Sequence, residues 1–508
     1  MSKWIKSRAP FLAAFAAIFL LSTFWALSSP ISSVPDEPSH TVKAAAVVRG
    51  QLGGQPTRVD GGQALRVQVP AWVAETQAVT CFAFHPDVTP SCWNHTYTKS
   101  REVVGALTTA GNYNPVYYAI VGLPSLALDG KLGFYAMRVL SALLNSLLLA
   151  WPLTLALRRP NGRWLAGVVA LAVTPMVLYL NGAINPNSLE FSGMISFTIG
   201  LLGVVDGPRE RSRQPLILTV VGGALLANAK ADGLLWLLFG TLAVLLLSGL
   251  RPFMAIFSRR SVWVGAVVLG LAVGFALWWV LNHTGDTKAF AGAGMPWWNG
   301  LLVMLDRTGD YNNGLIGYFG WLDTPAPTVV ILAWEAVFIG LVAFALVRLT
   351  GRARLAVLLA VVALIIVPPL LQAALVTANG LIWQGRYSLA LFALLAVVMG
   401  RAFEAGGRQW TATESNVFRV LATFLLAGQA YAFLWAMRRY VTGISVERSW
   451  FQMLTHPTWQ PPLAWEIWVA AFGLVVAIGL VALWRRDHRE AGSGRISINQ
   501  PADAGRLD

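Results

Sequence analysis

The chain has 508 residues, 56% of them hydrophobic and 12% charged, with a formal net charge of +14 and a mean hydropathy of +0.59. A soluble domain carries about 25% charged residues, so this composition excludes an ordinary water-soluble protein and indicates a polytopic membrane protein. The positive charge does not indicate nucleic acid, because arginines in short loops that hold topology account for it.

The chain opens on a signal-like run. "FLAAFAAIFLLSTFWAL" (11–27) follows Lys3, Lys6 and Arg8, and no small-residue cleavage site precedes the acidic motif beyond it. Residues 1–29 therefore read as a retained signal anchor that forms the first span. Next comes "SSVPDEPSH" (32–40), which places Asp36, Glu37 and His40 close together at the edge of the membrane. Two readings stay open. Asp36 can cap a helix with Pro38 in its first turn and acidic groups at the positive end of its dipole. Alternatively, the three side chains form a catalytic site facing across the membrane.

The segment 30–131 reads as a large extracytoplasmic loop with juxtamembrane helices. It holds the chain's two cysteines in "CFAFHPDVTPSC", where Pro86 and Pro90 can turn the chain between Cys81 and Cys92. A disulfide in an oxidising compartment is favoured over thiols that bind metal with His85 and His95. "YNPVYYAIVGLPSLAL" (113–128) is apolar, but its prolines, glycine and tyrosines suggest a helix lying in the outer interface.

A span needs about 20 apolar residues. Twelve are predicted, at 10–29, 132–157, 164–182, 188–205, 215–230, 232–250, 262–282, 327–348, 355–377, 386–403, 417–437 and 464–484, the fifth short and nearly continuous with the sixth. With the N-terminus inside, the Arg-rich loops 158–163, 206–215, 251–260, 348–354 and 401–410, and the tail from Arg485, all fall on the cytoplasmic side. Counting 113–128 as a further span would put those loops outside, and the charge rule rejects it. The expected fold is an all-α polytopic membrane protein of about twelve helices, with a transmembrane domain over 132–484, an outer loop at 283–326 and a disordered cytoplasmic tail over 485–508.

The outer side then collects the polar residues at span ends. Asp36 and Glu37 lie about 100° apart on a helix, with His40 and Lys43 following at stacking intervals. Arg138 sits near the start of the second span, Asn181, Asn185 and Asn187 between the third and fourth, Lys230 and Asp232 between the fifth and sixth, and Gln384, Gly385 and Arg386 at the opening of the tenth. Ionisable groups at membrane depth mark a functional path or a paired structural contact. Lys230 could equally pair with Asp232 or snorkel, and Arg386, beside Trp383 and Tyr387, could anchor an interface. Carboxylates facing several cations suit a reaction in which the acid accepts a proton or holds a divalent metal, while Arg and Lys neutralise a departing lipid phosphate. No Gly-rich phosphate loop or nucleotide-sugar domain is evident.

"PDEPSHTVKA" (35–44), "YNPVYY" (113–118), "AMRVLSALLN" (136–145), "NGAINPNSL" (181–189) and "WQGRYSL" (383–389) resemble the signatures of a bacterial family of predicted membrane proteins, domain of unknown function 2142. That family in turn resembles the GT-C superfamily of integral-membrane glycosyltransferases. The resemblance implies a GT-C-like fold whose first outer loop carries the essential acid, here Asp36 or Glu37, as base or as ligand of a divalent metal such as Mg or Mn, with His40 beside it. It points to Lys43, Arg138, Lys230 and Arg386 for the donor phosphate, and to Asn185, Asn187, Tyr113, Tyr117, Gln384 and Tyr387 for substrate. Lys43 stands where Arg is expected, and Asn187 where Asp is common, which weakens a second metal ligand at that turn.

The implied activity is transfer of a sugar from a polyprenyl-phosphate donor in the membrane lipid to an envelope glycan, lipid or protein. It would take place on the extracytoplasmic face of the bacterial plasma membrane, with both termini cytoplasmic. A lipid-linked glycan transporter and a non-catalytic assembly scaffold are the rival readings. Transport favours internal repeats and polar residues through the midplane, whereas here the polar groups crowd one face. Trp297, Trp298 and Trp321 in the loop 283–326 suit sugar stacking or an interfacial belt alike.

Overall fold

The computed structural model describes residues 2–59, 62–283, 290–405, 410–445 and 450–493. Helix α1 (Ser2–Ser28) leads to the short α2 (Glu37–Val47), then strands β1 (Gln55–Val59), β2 (Gly62–Pro70) and β3 (Val103–Thr108), and α3 (Pro115–Val121). The bundle continues with α4 (Gly130–Leu157), α5 (Arg163–Leu171), α6 (Pro175–Asn181), α7 (Asn187–Asp206), α8 (Arg213–Ala227), α9 (Gly233–Ser248), α10 (Leu250–Ala255) and α11 (Arg260–Asn282). After α12 (Trp297–Asp306), α13 (Thr308–Ile316) and the hairpin of β4 (Tyr318–Phe319) and β5 (Thr324–Pro325) come α14 (Thr328–Arg348), α15 (Gly351–Asn379), α16 (Leu389–Ala405), α17 (Ala412–Val441) and α18 (Trp465–Ser493).

Among the described residues, nine helices are long and apolar enough to cross a membrane, and two bent pairs raise the total to eleven. The remaining predicted span, 215–230, corresponds to α8, which is shorter than those nine. Both bends have local causes. Thr174 is extended (φ −76°, ψ 167°) ahead of Pro175, whose ring disfavours helix in the residue before it, and α5 meets α6 at 78°. Gly249 at φ 87° supplies a conformation other residues resist, and the chain turns 112° after α9. At the far end, α18 carries on past Arg485 to Ser493, and the rest of the predicted tail lies outside the described residues.

The helices α7 and α16 form the centre, with 94% and 89% of their apolar windows buried, while α11 and α18, at 17%, face outward. The expectation of helix alone is corrected in two places. The strands β1, β2 and β3 form an antiparallel sheet in that order, and β4 pairs with β5. In β2 the run Arg66-Val67-Gln68-Val69 alternates exposed and buried side chains, the period-two signature of a half-buried strand.

The sheet marks one end of the bundle. At the other, Arg159 reaches both Asp206 and Glu404, Arg401 reaches Asp206, and Arg209 reaches Ser258, so loops far apart in sequence share one polar surface.

Candidate functional site

The chain leaves α1 through a tight passage in which Ser32 (φ 59°) and Asp36 (φ 65°) are both left-handed. Asp tolerates that region better than most residues. Asp36 occupies the cap position of α2, yet its side chain makes no capping bond. Its Oδ2 instead accepts a hydrogen bond from Arg386 Nη2 at 2.6 Å, and the carboxylate stays 46% exposed.

Arg386 comes from the turn Gly385–Ser388 that opens α16. Glycine is required at 385, because a Cβ there would sit 2.0 Å from the Tyr311 carbonyl oxygen and 2.7 Å from Gly314 Cα. The guanidinium is buried, and beyond its bond to Asp36 its Nε and Nη1 find no hydrogen-bond partner among the described residues. Lys230, in the break between α8 and α9, lies 3.4 Å from Glu190 Oε2 and 3.5 Å from Asp232 Oδ2, with its ammonium 4.2 Å from the centre of the Tyr387 ring.

These groups meet in a narrow polar cleft lined by Asp36, His40, Tyr113, Asn185, Pro186, Asn187, Lys230, Arg386 and Tyr387. Among the described residues Asn187 Oδ1, in the lining, and Asp232 Oδ1, beside Lys230 but outside the lining, are buried and also without a hydrogen-bond partner. A larger groove between α8 and α11, lined by Leu216, Val220 and Val264, is apolar and belongs to the outward-facing surface of the helices. His40 bonds through Nδ1 to the Tyr118 hydroxyl at 2.7 Å. Burial lowers its pKa to about 4, with Asp36 opposing the shift and Arg386 and Lys230 adding to it, so the imidazole is neutral at pH 7.

Five of the sequence-predicted groups do not line the cleft. Glu37 is fully buried against Arg138, which donates to its two oxygens at 2.8 and 2.6 Å, and Ile184 N–H donates to the same carboxylate. Arg138 spends its other N–H groups on the carbonyls of Ala26, Ser29 and Pro30 and on Ser33 Oγ. That set leaves Arg138 no N–H for a phosphate, and it engages both Glu37 oxygens. Lys43 donates to the carbonyls of Leu52 and Gly111, both at 2.6 Å, and burial lowers its pKa to about 8. Tyr117 bonds Ser141 and accepts the Asn185 N–H at 2.9 Å, so it holds the asparagine turn from behind. Gln384 also stands outside the lining, its Oε1 buried without a partner among the described residues.

The expected metal pair of Asp36 and Glu37 is therefore not assembled, since their carboxylates engage different arginines. Among the described residues no group of three or more His, Cys, Asp or Glu side chains is placed to hold a metal ion. Cys81 and Cys92 are joined by a disulfide. Sequence reasoning overlooked Glu190, which receives Trp236 Nε1 at 3.1 Å beside Lys230. Its signal was present: an acid three residues beyond Asn187 inside an apolar span.

No curated protein matches the chain. Among solved structures, the crystal structure of ArnT from Cupriavidus metallidurans bound to undecaprenyl phosphate is similar at 12% identity and a TM-score of 0.43, over 95% of this chain and 77% of that one. That likeness is too distant to carry an assignment. A family model does match, over residues 19–395, and it takes in the acidic motif, the tyrosine segment, the asparagine turn and the Arg386 turn. The chain belongs to the predicted membrane protein family DUF2142.

Proposed function

We propose that the protein transfers a sugar from a polyprenyl-phosphate donor to an envelope acceptor at the sheet-bearing end of the bundle, which faces away from the cytoplasm. The observation that carries this reading is Arg386: a buried guanidinium with one carboxylate partner and two nitrogens, Nε and Nη1, unpaired among the described residues, in a cleft that also holds the unpaired Asn187 Oδ1. Unsatisfied buried donors and acceptors are costly, and a ligand presenting both phosphate oxygens and hydroxyls would satisfy them together. Lys230 is already balanced by Glu190 and Asp232, so Arg386 takes the leading share of the phosphate.

In this reading the acceptor hydroxyl gives its proton to Asp36 as its oxygen bonds to the anomeric carbon. The bond from that carbon to the phosphate oxygen breaks, and the phosphate leaves with the electron pair, stabilised by Arg386 and Lys230. Entry of the phosphate onto Arg386 competes with Asp36 for the guanidinium and frees the carboxylate to act. The neutral His40 adds a hydrogen bond without adding charge. Glu37, Arg138, Lys43 and Tyr117 hold the frame. No step is routed through a metal, because the donor set for one does not assemble.

The deciding experiment is extraction of the lipid that co-purifies with the protein, its identification by mass spectrometry, and its use as donor in a transfer assay. A sugar-bearing polyprenyl phosphate, lost from Arg386→Ala, is the expected result. Recovery of ordinary phospholipid alone from both proteins would remove the reading.

A further inference from the structure

Six non-glycine residues have a left-handed backbone among the described residues, and four of them, Ser32, Asp36, Phe84 and Leu322, sit on three neighbouring loops at the sheet-bearing end. Phe84 is the least expected. A bulky residue at φ 62° is strained, and here it is strained to leave its ring 66% exposed. Exposed apolar side chains on the outward faces of the long helices need no explanation in a membrane protein. Phe84 lies instead in the polar disulfide loop between Cys81 and Cys92, outside every span.

That loop is held with unusual thoroughness. Arg439, buried at the end of α17, donates to the carbonyls of Phe82, His85 and Val88 at 2.7 to 3.0 Å and to Asp323 Oδ2 at 3.1 Å. It ties the Phe84 loop to the β4–β5 hairpin, whose tip carries Trp321 between two left-handed residues, Gly320 and Leu322. The Phe84 and Trp321 rings meet edge to face at 5.3 Å. Trp321 Nε1 in turn donates to the Ser32 carbonyl at 2.8 Å. Ser32 is four residues before Asp36, a chain reach of roughly 14 Å at most.

From this geometry we infer that Phe84 and Trp321 form a saccharide-binding platform at the rim of the cleft. An aromatic face carries negative π density over an apolar surface, which suits the polarised C–H face of a pyranose. A rigid platform loses little entropy when it binds, and the disulfide, Arg439 and the hairpin supply that rigidity. The polar surroundings, with the exposed His85 and Asp87 on the same loop, favour a carbohydrate over an acyl chain. That the saccharide is the acceptor rests on the transferase reading; its capture by the rings does not.

The test places a photo-crosslinker, Phe84→p-benzoylphenylalanine, in the full chain in its native membrane and identifies adducts on the 84-containing peptide by mass spectrometry. A sugar-bearing adduct is expected, and it persists in Arg386→Ala, so failure of the donor site leaves this result standing. A phospholipid adduct, or none bearing sugar, overturns the platform. In parallel, purified wild type is applied to an array of envelope and soluble oligosaccharides. Phe84→Ala should cut retention tenfold or more and Phe84→Trp should keep it; no retention by wild type, or equal retention by Phe84→Ala, overturns the inference. Phe84→Gly should hold or raise the melting temperature while losing retention, because glycine relieves the left-handed strain; a lowered melting temperature would make the ring a structural element and count against the platform.

Discussion

Asp36 and Glu37 share a peptide bond, but Asp36 meets Arg386 at the mouth of the cleft while Glu37 is sealed against Arg138 with both side chains fully buried. The two acids should therefore fail differently. Asp36→Asn keeps a side chain that tolerates the left-handed backbone and an amide oxygen that can still accept from Arg386, and the position is 46% exposed, so it should lower the melting temperature less than Glu37→Gln does while losing transfer by about 100-fold or more, the scale of a missing general base. Glu37→Gln leaves a buried arginine without its counter-charge and should destabilise the protein by about 3–5 kcal/mol. Detergent melting curves and a transfer assay on both variants separate these outcomes. Normal melting of Glu37→Gln with lost transfer would return Glu37 to the chemistry.

The cations divide in the same way. A hydrogen bond to a charged group is worth about 1.5–3 kcal/mol, so Arg386→Ala should weaken binding of a polyprenyl phosphate by roughly 10- to 150-fold. Lys230→Ala should weaken it less, because Glu190 and Asp232 already offset that charge. Lys43→Met should leave affinity unchanged, since the ammonium is committed to the carbonyls of Leu52 and Gly111, and should lower the melting temperature instead. Binding isotherms with a defined polyprenyl phosphate check all three, and equal losses at Lys43 and Arg386 would refute the division.

His40 makes stability depend on pH with a definite sign. Its folded pKa, about 4, lies below the unfolded 6.5. Above pH 6.5 both states are neutral and the group has no effect. As pH falls from 6.5 towards 4 the unfolded chain takes up the proton first, so stability drops, by on the order of 3 kcal/mol across that window, and then levels off. His40→Gln should flatten this part of the profile. Melting temperatures between pH 7.5 and 4.5 decide it, and parallel profiles for the two proteins would show that His40 is not the group responsible.

The spans were legible because burial in lipid demands long apolar runs, and each predicted span has a helical counterpart in the structure. The cleft was legible in outline, since Lys230, Arg386, Asn185 and Asn187 are polar residues at span ends that only a site or a pairing explains. What the sequence could not reveal was partnership. Glu37 and Arg138 are 101 residues apart, and nothing local in either segment announces that one locks the other. Lys43 reads as a free cation on a helix face until Gly111, 68 residues on, is seen to cap it. Glu190 was hidden for the opposite reason, as one acid inside a run whose hydrophobicity drew the eye to the span.

The membrane orientation gives the last prediction. Arg159, Arg401, Asp206 and Glu404 bring three separate loops into one charged surface at the end of the bundle opposite the sheet. Arginine in short loops is retained on the cytoplasmic side, so that surface should be cytoplasmic. The Cys81–Cys92 disulfide lies at the sheet-bearing end, and disulfides are characteristic of oxidising compartments, which predicts the same orientation by independent chemistry. Single cysteines introduced at Asn161 and Glu210 should resist an impermeant thiol reagent in intact cells and react after permeabilisation. One introduced at the exposed Val103 of β3 should react in intact cells. Labelling of Asn161→Cys from outside would invert the molecule, place the cleft in the cytoplasm, and leave a disulfide in a reducing compartment that could not maintain it.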